Sequence, residues 1–251
     1  MRHFIIVAAC AVLAVRPAAA QQLPSVNDVV RHIDNLWRSS SSHATMTMTV
    51  VRNRGTRSLT LESWSQGTNE ALIVIRQPAR EAGTATLRTP EGLWNYAPRA
   101  DRLIRIPSGL LSESWMGSDF TNDDLLRESS YLADHTTSLA WKTVDGQRML
   151  EVTLIPKPDL PVVYTRLVFL LEPESLTPRR ADYYDGNDLT RSMIFDHIQT
   201  IGNKRVPMHM VLQPADRPNE RTEITYEQLE LDIHVDDGMF TRRGLRQVAR
   251  S

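Results

Sequence analysis

The feature that most limits what this chain can become is a period of two in its side chains, resumed again and again from residue 44 to residue 230. Ala44, Met46, Met48 and Val50 alternate with Thr45, Thr47 and Thr49; Arg54-Gly55 turns the chain, and Leu59 and Leu61 alternate with Thr60 and Glu62. Such alternation suits strands with one buried face, and the pair reads as a hairpin. Ala71 to Ile75 is apolar on both faces, the pattern of a strand covered on both sides. Gly83–Thr89, Leu93–Ala97 and Arg102–Pro107 follow, separated by Pro90-Glu91-Gly92 and Pro98-Arg99-Ala100-Asp101. Further strands are expected at Ser130–Thr136, Leu139–Thr143, Arg148–Ile155, Val162–Leu171, Arg179–Tyr184, Thr190–Ile201, Arg205–Leu212 and Glu220–Glu230. Asp145-Gly146, Asp185-Gly186-Asn187 and Gly202-Asn203 are hairpin signals. The proline-rich stretches Pro156–Pro161 and Pro214–Pro218 interrupt the pattern without ending it, so they are loops within one domain.

About eleven antiparallel strands in succession do not stay flat; they curl, split or close. Two helices interrupt them. Ser25 to Ser39 places Val26, Val29, Val30, Ile33, Leu36 and Trp37 on one side, with Ser25 and Asp28 in capping-box spacing. Mid-chain, Leu110 to Leu126 sets Trp115, Met116 and Phe120 among turn-forming residues, and Thr121 with Asp124 has the form of a helix start. Three large apolar side chains in a loop should fold back onto the body. The expected architecture is mainly β: a single, half-open antiparallel barrel with these helices as lid or plug. Trp64, Trp94, Trp115 and Trp141 are spread along the chain, so bending should gather several of them on the concave side.

Residues 1–20 stand apart. Arg2 and His3 precede an apolar run, Phe4 to Val15, too short to span a bilayer comfortably, and Ala18-Ala19-Ala20 provides small residues for cleavage. We read an export signal cut after Ala20, with the domain at 21–251 and a periplasmic location. Val7-Ala8-Ala9-Cys10 resembles a lipoprotein cleavage box, but the apolar run before Cys10 is too short for that reading. Cleavage removes Arg2, Arg16 and the single cysteine, leaving 27 Lys+Arg against 30 Asp+Glu, a net charge of −3. Without cysteine there is no disulfide and no thiolate metal site. The charge does not suit nucleic acid or an anionic membrane surface.

Catalytic motifs are missing. The sequence has no G-x-S-x-G, no G-x-G-x-x-G, no P-loop and no H-E-x-x-H. His197 and His209 fall on strands expected to be neighbours, with Asp196 close by, and read as exposed strand histidines. Asp119, Asn122, Asp123 and Asp124 do not have EF-hand spacing, and helix capping accounts for Asp123 and Asp124; Asp182, Asp185 and Asp188 read as a turn. No cofactor or metal is expected. What remains is apolar surface: Met46, Met48, Leu59, Leu61, Ile73, Ile75, Trp94, Tyr96, Ile104 and Ile106 on successive strands. They form either an ordinary core or the wall of a lipid cavity, and methionine's flexible thioether suits variable chains.

The run Trp115-Met116-Gly117-Ser118-Asp119-Phe120-Thr121-Asn122-Asp123-Asp124-Leu125 resembles one branch of the periplasmic outer-membrane lipoprotein-sorting proteins of LolA/LolB-like fold, often found beside RND-type exporters. The amphipathic helix, Leu93-Trp94-Asn95-Tyr96-Ala97-Pro98, Arg105-Ile106-Pro107 and Met239-Phe240-Thr241 through Leu245 fit the same family. The resemblance implies an incomplete β-barrel around a hydrophobic cavity and a non-catalytic carrier of lipid or acylated lipoprotein; a monomer is expected. Trp94, Tyr96, Trp115, Met116, Phe120 and the apolar strand faces would line or close the pocket. The rival readings are an adaptor that docks on an RND-type exporter and carries nothing, and a hydrolase built on His197 or His209.

Overall fold

A computed structural model of the protein describes residues 22–36, 39–126, 131–158, 160 and 162–251. The expected export signal and Trp37 lie outside the described residues. The alternating segments form β1 (Ser41–Arg52), β2 (Gly55–Gln66), β3 (Glu70–Gln77), β4 (Ala85–Thr89), β5 (Gly92–Ala97) and β6 (Arg102–Arg105). After the mid-chain segment come β7 (His135–Val144), β8 (Gln147–Pro156), β9 (Arg166–Leu171), β10 (Pro178–Asp185), β11 (Asp188–Ile201), β12 (Lys204–Pro214) and β13 (Arg221–Leu231). The helices are α1 (Val26–Asn35), α2 (Asn122–Leu126), α3 (Tyr131–Asp134) and α4 (Arg242–Arg250).

All thirteen strands belong to one antiparallel sheet ordered β6-β5-β4-β3-β2-β1-β13-β12-β11-β10-β9-β8-β7. The sheet is thus two meanders seamed by β1 and β13, whose partners run from Ser42↔Leu231 to Val51↔Arg221. Its edges, β6 and β7, do not pair with each other, so the barrel stays open, and the segment between these two strands carries the mid-chain helices.

The strand count exceeds the expected eleven or so. The two strands expected at Ser130–Thr136 and Leu139–Thr143 are one, β7, because Thr137-Ser138 continues the extended chain; Tyr131–Asp134 is helical. β9 begins at Arg166 rather than Val162. α1 ends at Asn35, and Ser25 makes no side-chain cap, its carbonyl instead accepting from Val29 N. α4 is an element the sequence reading did not include.

Alternation sorts the side chains between two faces. On the concave face, α1 presses Val29, Val30 and Ile33 against Leu150, Val152 and Leu154 of β8 and Leu167, Phe169 and Leu171 of β9. Each such side chain removed from water stabilises the fold by about 1.5–3 kcal/mol. A second concave cluster gathers Met46, Met48, Val50, Leu59, Leu61, Ile75 and Ile224 beneath Trp115. On the convex face, α4 is capped by Thr241, whose Oγ1 accepts from Gly244 N at 2.9 Å. It lays Leu245 and Ala249 on Leu72, Val74, Ala85 and Leu87. This explains the two-sided apolar run at Ala71–Ile75: β3 has concave contacts on one side and α4 on the other. Gly83, at φ +80°, admits the close approach, since a Cβ there would lie 2.8 Å from the Ala249 carbonyl oxygen.

Candidate functional site: a cavity under the mid-chain segment

Between the concave face and the mid-chain segment lies a cavity of about 340 Å³, inside the range of about 300–1,000 Å³ usual for small-molecule sites. Its lining includes Ala44 and Met46 of β1, Leu61 of β2, Ala71 and Ile73 of β3, Leu93 of β5, Val206 and Met210 of β12, and Ile224, Tyr226 and Leu229 of β13. Trp115, Phe120 and Leu125 cover one end. Half-buried Ser42, Ser65 and Leu231 rim the other, next to Leu36 at the end of α1. Polar groups in the wall are few: serines, Thr86, Arg88 and Asp124. The described lining brings serine and threonine hydroxyls together with one carboxylate, that of Asp124, which is engaged by Arg191.

The covering segment is held by its own polar residues. Trp115 is buried, and its Nε1 donates to Thr86 Oγ1 at 3.0 Å, which in turn donates to Asn95 Oδ1 at 2.9 Å. Met116 and Gly117 both take left-handed backbone, at φ +51° and +72°, and this tight turn aims two carbonyls outward. Arg57 Nη1 donates to the Met116 carbonyl at 2.7 Å and Arg52 Nη2 to that of Gly117 at 3.1 Å. The Asp119 side chain, 2% exposed, accepts from Arg52 Nη1 at 2.9 Å and Thr222 Oγ1 at 2.8 Å. Thr121 and Asp124 form the expected helix start: Thr121 N donates to Asp124 Oδ2 at 2.7 Å, and Asp124 N donates to Thr121 Oγ1 at 3.2 Å.

Asp124 does more than cap. Arg191 of β11 donates to both its oxygens, at 2.6 and 2.7 Å, and stacks over Tyr183 with its guanidinium carbon 4.4 Å from the ring centre. Burial opposes ionisation of Asp124, but the Arg191 hydrogen bonds and charge, with help from Thr121, hold the carboxyl below the usual carboxylate range. Arg191 is correspondingly raised despite burial. Burial also pushes Tyr183 up to about 12, with the Arg191 charge opposing and that of Asp124 assisting. Arg88 Nη1 donates to the Leu125 carbonyl at 3.1 Å, tying the end of α2 to β4.

Of the residues singled out from sequence, Met46, Leu61, Ile73, Trp115 and Phe120 meet at the cavity. Met48, Leu59 and Ile75 are fully buried beside it in the second concave cluster, where Met116 packs too. Trp94 and Tyr96 face the other way. They pair with Leu87 and Ala85 on the convex face under α4, with Arg242 stacked 4.0 Å over Trp94 and the Tyr96 hydroxyl donating to Asp101 Oδ1 at 2.9 Å. It is Leu93, one residue away, that reaches the cavity. Ile104, on edge strand β6, is 53% exposed, and Ile106 is only half-buried and outside the lining. The expected gathering of tryptophans is also partial: Trp115 and Trp141 join concave clusters, whereas Trp64 and Trp94 pack on the convex cluster under α4. The β13 contribution was not read from sequence, since it arises only where the two ends of the sheet meet.

The same fold occurs in solved structures. A DUF1329 family protein from Desulfovibrio piger superposes with a TM-score of 0.78 at 24% identity, over 87% of this chain and 96% of that one. A putative outer membrane lipoprotein-sorting protein domain from Vibrio parahaemolyticus gives 0.77 at 21% identity, covering 87% and 97%. A LolA superfamily protein from Nitrosomonas europaea gives 0.73 at 18%, covering 88% and 99%. No curated protein sequence matches. Residues 67–247 match a family model whose description is "-like: Uncharacterized protein". The chain therefore belongs to that family, and its fold is the open, LolA-like sheet of the lipoprotein-sorting proteins.

Proposed function

We propose that this protein is a periplasmic carrier that shelters an acyl chain, of a lipid or an acylated lipoprotein, in the concave cavity and yields it to a better acceptor. One observation carries the reading: an apolar cavity of about 340 Å³ persists between the sheet and the segment that covers it, lined by methionine, leucine and isoleucine. Each methylene moved out of water is worth about 0.8 kcal/mol, so a sixteen-carbon chain costs about 12 kcal/mol to leave exposed. A protein that covers the tail removes most of that barrier without needing a catalytic group. Among the described residues no helix is long and apolar enough to cross a membrane. The export signal at residues 1–20 belongs to the same reading.

Trp115 and Phe120 are the closing groups, and the Ser42–Ser65–Leu231 rim is the end through which a tail enters. The test is mass spectrometry of an organic extract of the purified protein, beside the Trp115→Ala/Phe120→Ala double variant. The expected result is co-purified acyl lipid in the parent and much less in the variant. An extract free of lipid from cells rich in it would overturn the carrier reading and leave an exporter-docking adaptor as the better one.

A further inference from the structure

We propose that Asp196, His197 and His209 form a binding site for one divalent transition cation of the zinc type on the convex face of the sheet, remote from the cavity. Asp196 of β11 lies directly opposite His209 of β12, which lies opposite Thr225 of β13. Neighbouring residues in a strand face opposite ways, so Asp196 and His197 should point to different faces. They do not. His197 sits at φ +48°, in the left-handed region, and the ladder resumes only at Ile198↔Pro207 with its register unchanged. This one residue turns the imidazole to the side of Asp196 and His209. His197 Nδ1 lies 3.3 Å and His209 Nδ1 2.7 Å from the same oxygen, Asp196 Oδ1. The three donor atoms fall within 4.8 Å of one another, and the two rings are 5.4 Å apart between centres.

Packing does not account for the conformation. The His197 side chain is 74% exposed, so the backbone departs from its ordinary range without burying anything in return. What it does achieve is the convergence of two imidazoles and a carboxylate. Donor sets of nitrogen and oxygen with no thiolate suit zinc and its neighbours, whereas calcium and magnesium seek all-oxygen shells. Bonds of about 2.0–2.2 Å place tetrahedral donors roughly 3.3 Å apart. The His197–Asp196 pair already has that spacing, the Asp196–His209 hydrogen bond has to lengthen slightly, and the two imidazole donors, within 4.8 Å of each other, have to settle to the same spacing. Three protein donors leave the fourth position to water, as in open zinc sites.

The surroundings also fit. Metal at His209 Nδ1 leaves Nε2 facing Glu223, whose Oε2 is 3.9 Å away, the arrangement in which an outer carboxylate orients a ligating imidazole. His43 makes a contrast within the same molecule: its two ring nitrogens face Glu62 at 2.9 Å and Glu230 at 3.3 Å, its ring stacks on Trp64, and no second histidine joins it.

The test titrates zinc ion into the full, chelator-treated chain against a chromophoric zinc competitor, with His197→Ala, His209→Ala and His43→Ala alongside. The expected result is saturable uptake of one zinc per chain, at least about tenfold weaker in each of the first two variants and unchanged in the third. Zinc should also raise the melting temperature of the parent but not of His197→Ala, whose exposed side chain is not needed for folding. Absence of saturable uptake, or uptake in His197→Ala equal to the parent's, would overturn the site.

Discussion

The concave face has two halves built alike and covered differently. Over β8 and β9 the strands present Leu150, Val152, Leu154, Leu167 and Phe169, and α1 fills the space above them with Val29, Val30 and Ile33. Over β1 to β3 and β13 the strands present Met46, Leu61, Ile73 and Ile224, a surface of the same kind, yet a cavity remains. The strands do not make the difference; the cover does. A helix is a cylinder whose own backbone groups are satisfied, so its apolar face settles fully into the sheet. The mid-chain segment satisfies part of its backbone through Arg52, Arg57, Ser118 and Thr222 at its margin, and sends Trp115, Phe120, Asp124 and Leu125 to the cavity. A segment pinned at its rim bridges the hollow instead of filling it.

The largest effect should come from loosening that rim. Asp119→Ala leaves Arg52 without its buried carboxylate partner, and we expect a loss of about 4 kcal/mol in urea unfolding. Hydrogen exchange should rise in residues 110–125 before it rises in α1. Equal rises would mean that the two covers are not independent. The next effect compares the halves directly. Ile33→Ala opens a void in a filled region and should cost about 3 kcal/mol, whereas Ile73→Ala only enlarges an existing one and should cost about 1 kcal/mol. Equal costs would erase the distinction.

A smaller effect concerns the ion pair joining the cover to β11. The Asp124 carboxyl is held below its ordinary range, chiefly by Arg191 working against burial. Its contribution is therefore fully present above the ordinary carboxylate pKa and is lost as pH falls through the lowered value in the fold. Asp124→Asn should cost about 2 kcal/mol near neutral pH and flatten the acid limb of stability against pH. An unchanged acid limb would show that other carboxylates control it. Smallest of all, Thr86→Val removes the acceptor of the Trp115 indole and should cost about 1 kcal/mol, with a shift in tryptophan emission.

Much of the fold was legible because its signals are local. Alternation marks β1 and β2, Asp145-Gly146 turns β7 into β8, and Thr121 with Asp124 starts α2 as its spacing requires. The cavity was legible only in part. Its β13 wall depends on pairing across nearly the whole chain, Met46 with Tyr226 and Met48 with Ile224, which no neighbouring residues announce. The facing of β5 was misread for a related reason. Leu93 and Tyr96 are both apolar and both buried, and only the docking of α4 on the convex face, through Leu245 and Ala249, decides which looks inward. Period two tells that faces differ; it does not tell which one meets the cavity when both are covered.

The central claim is that the hollow admits a hydrocarbon tail, and a fluorescent acyl-chain probe titrated into the parent and into Ile73→Trp tests it most directly. The added indole would occupy the space beside Leu61 and Phe120. Saturable binding by the parent, lost in Ile73→Trp while an equally bulky Ile194→Trp on the exposed face keeps it, is the predicted result. Binding that survives Ile73→Trp undiminished, or no binding by the parent, would contradict the account.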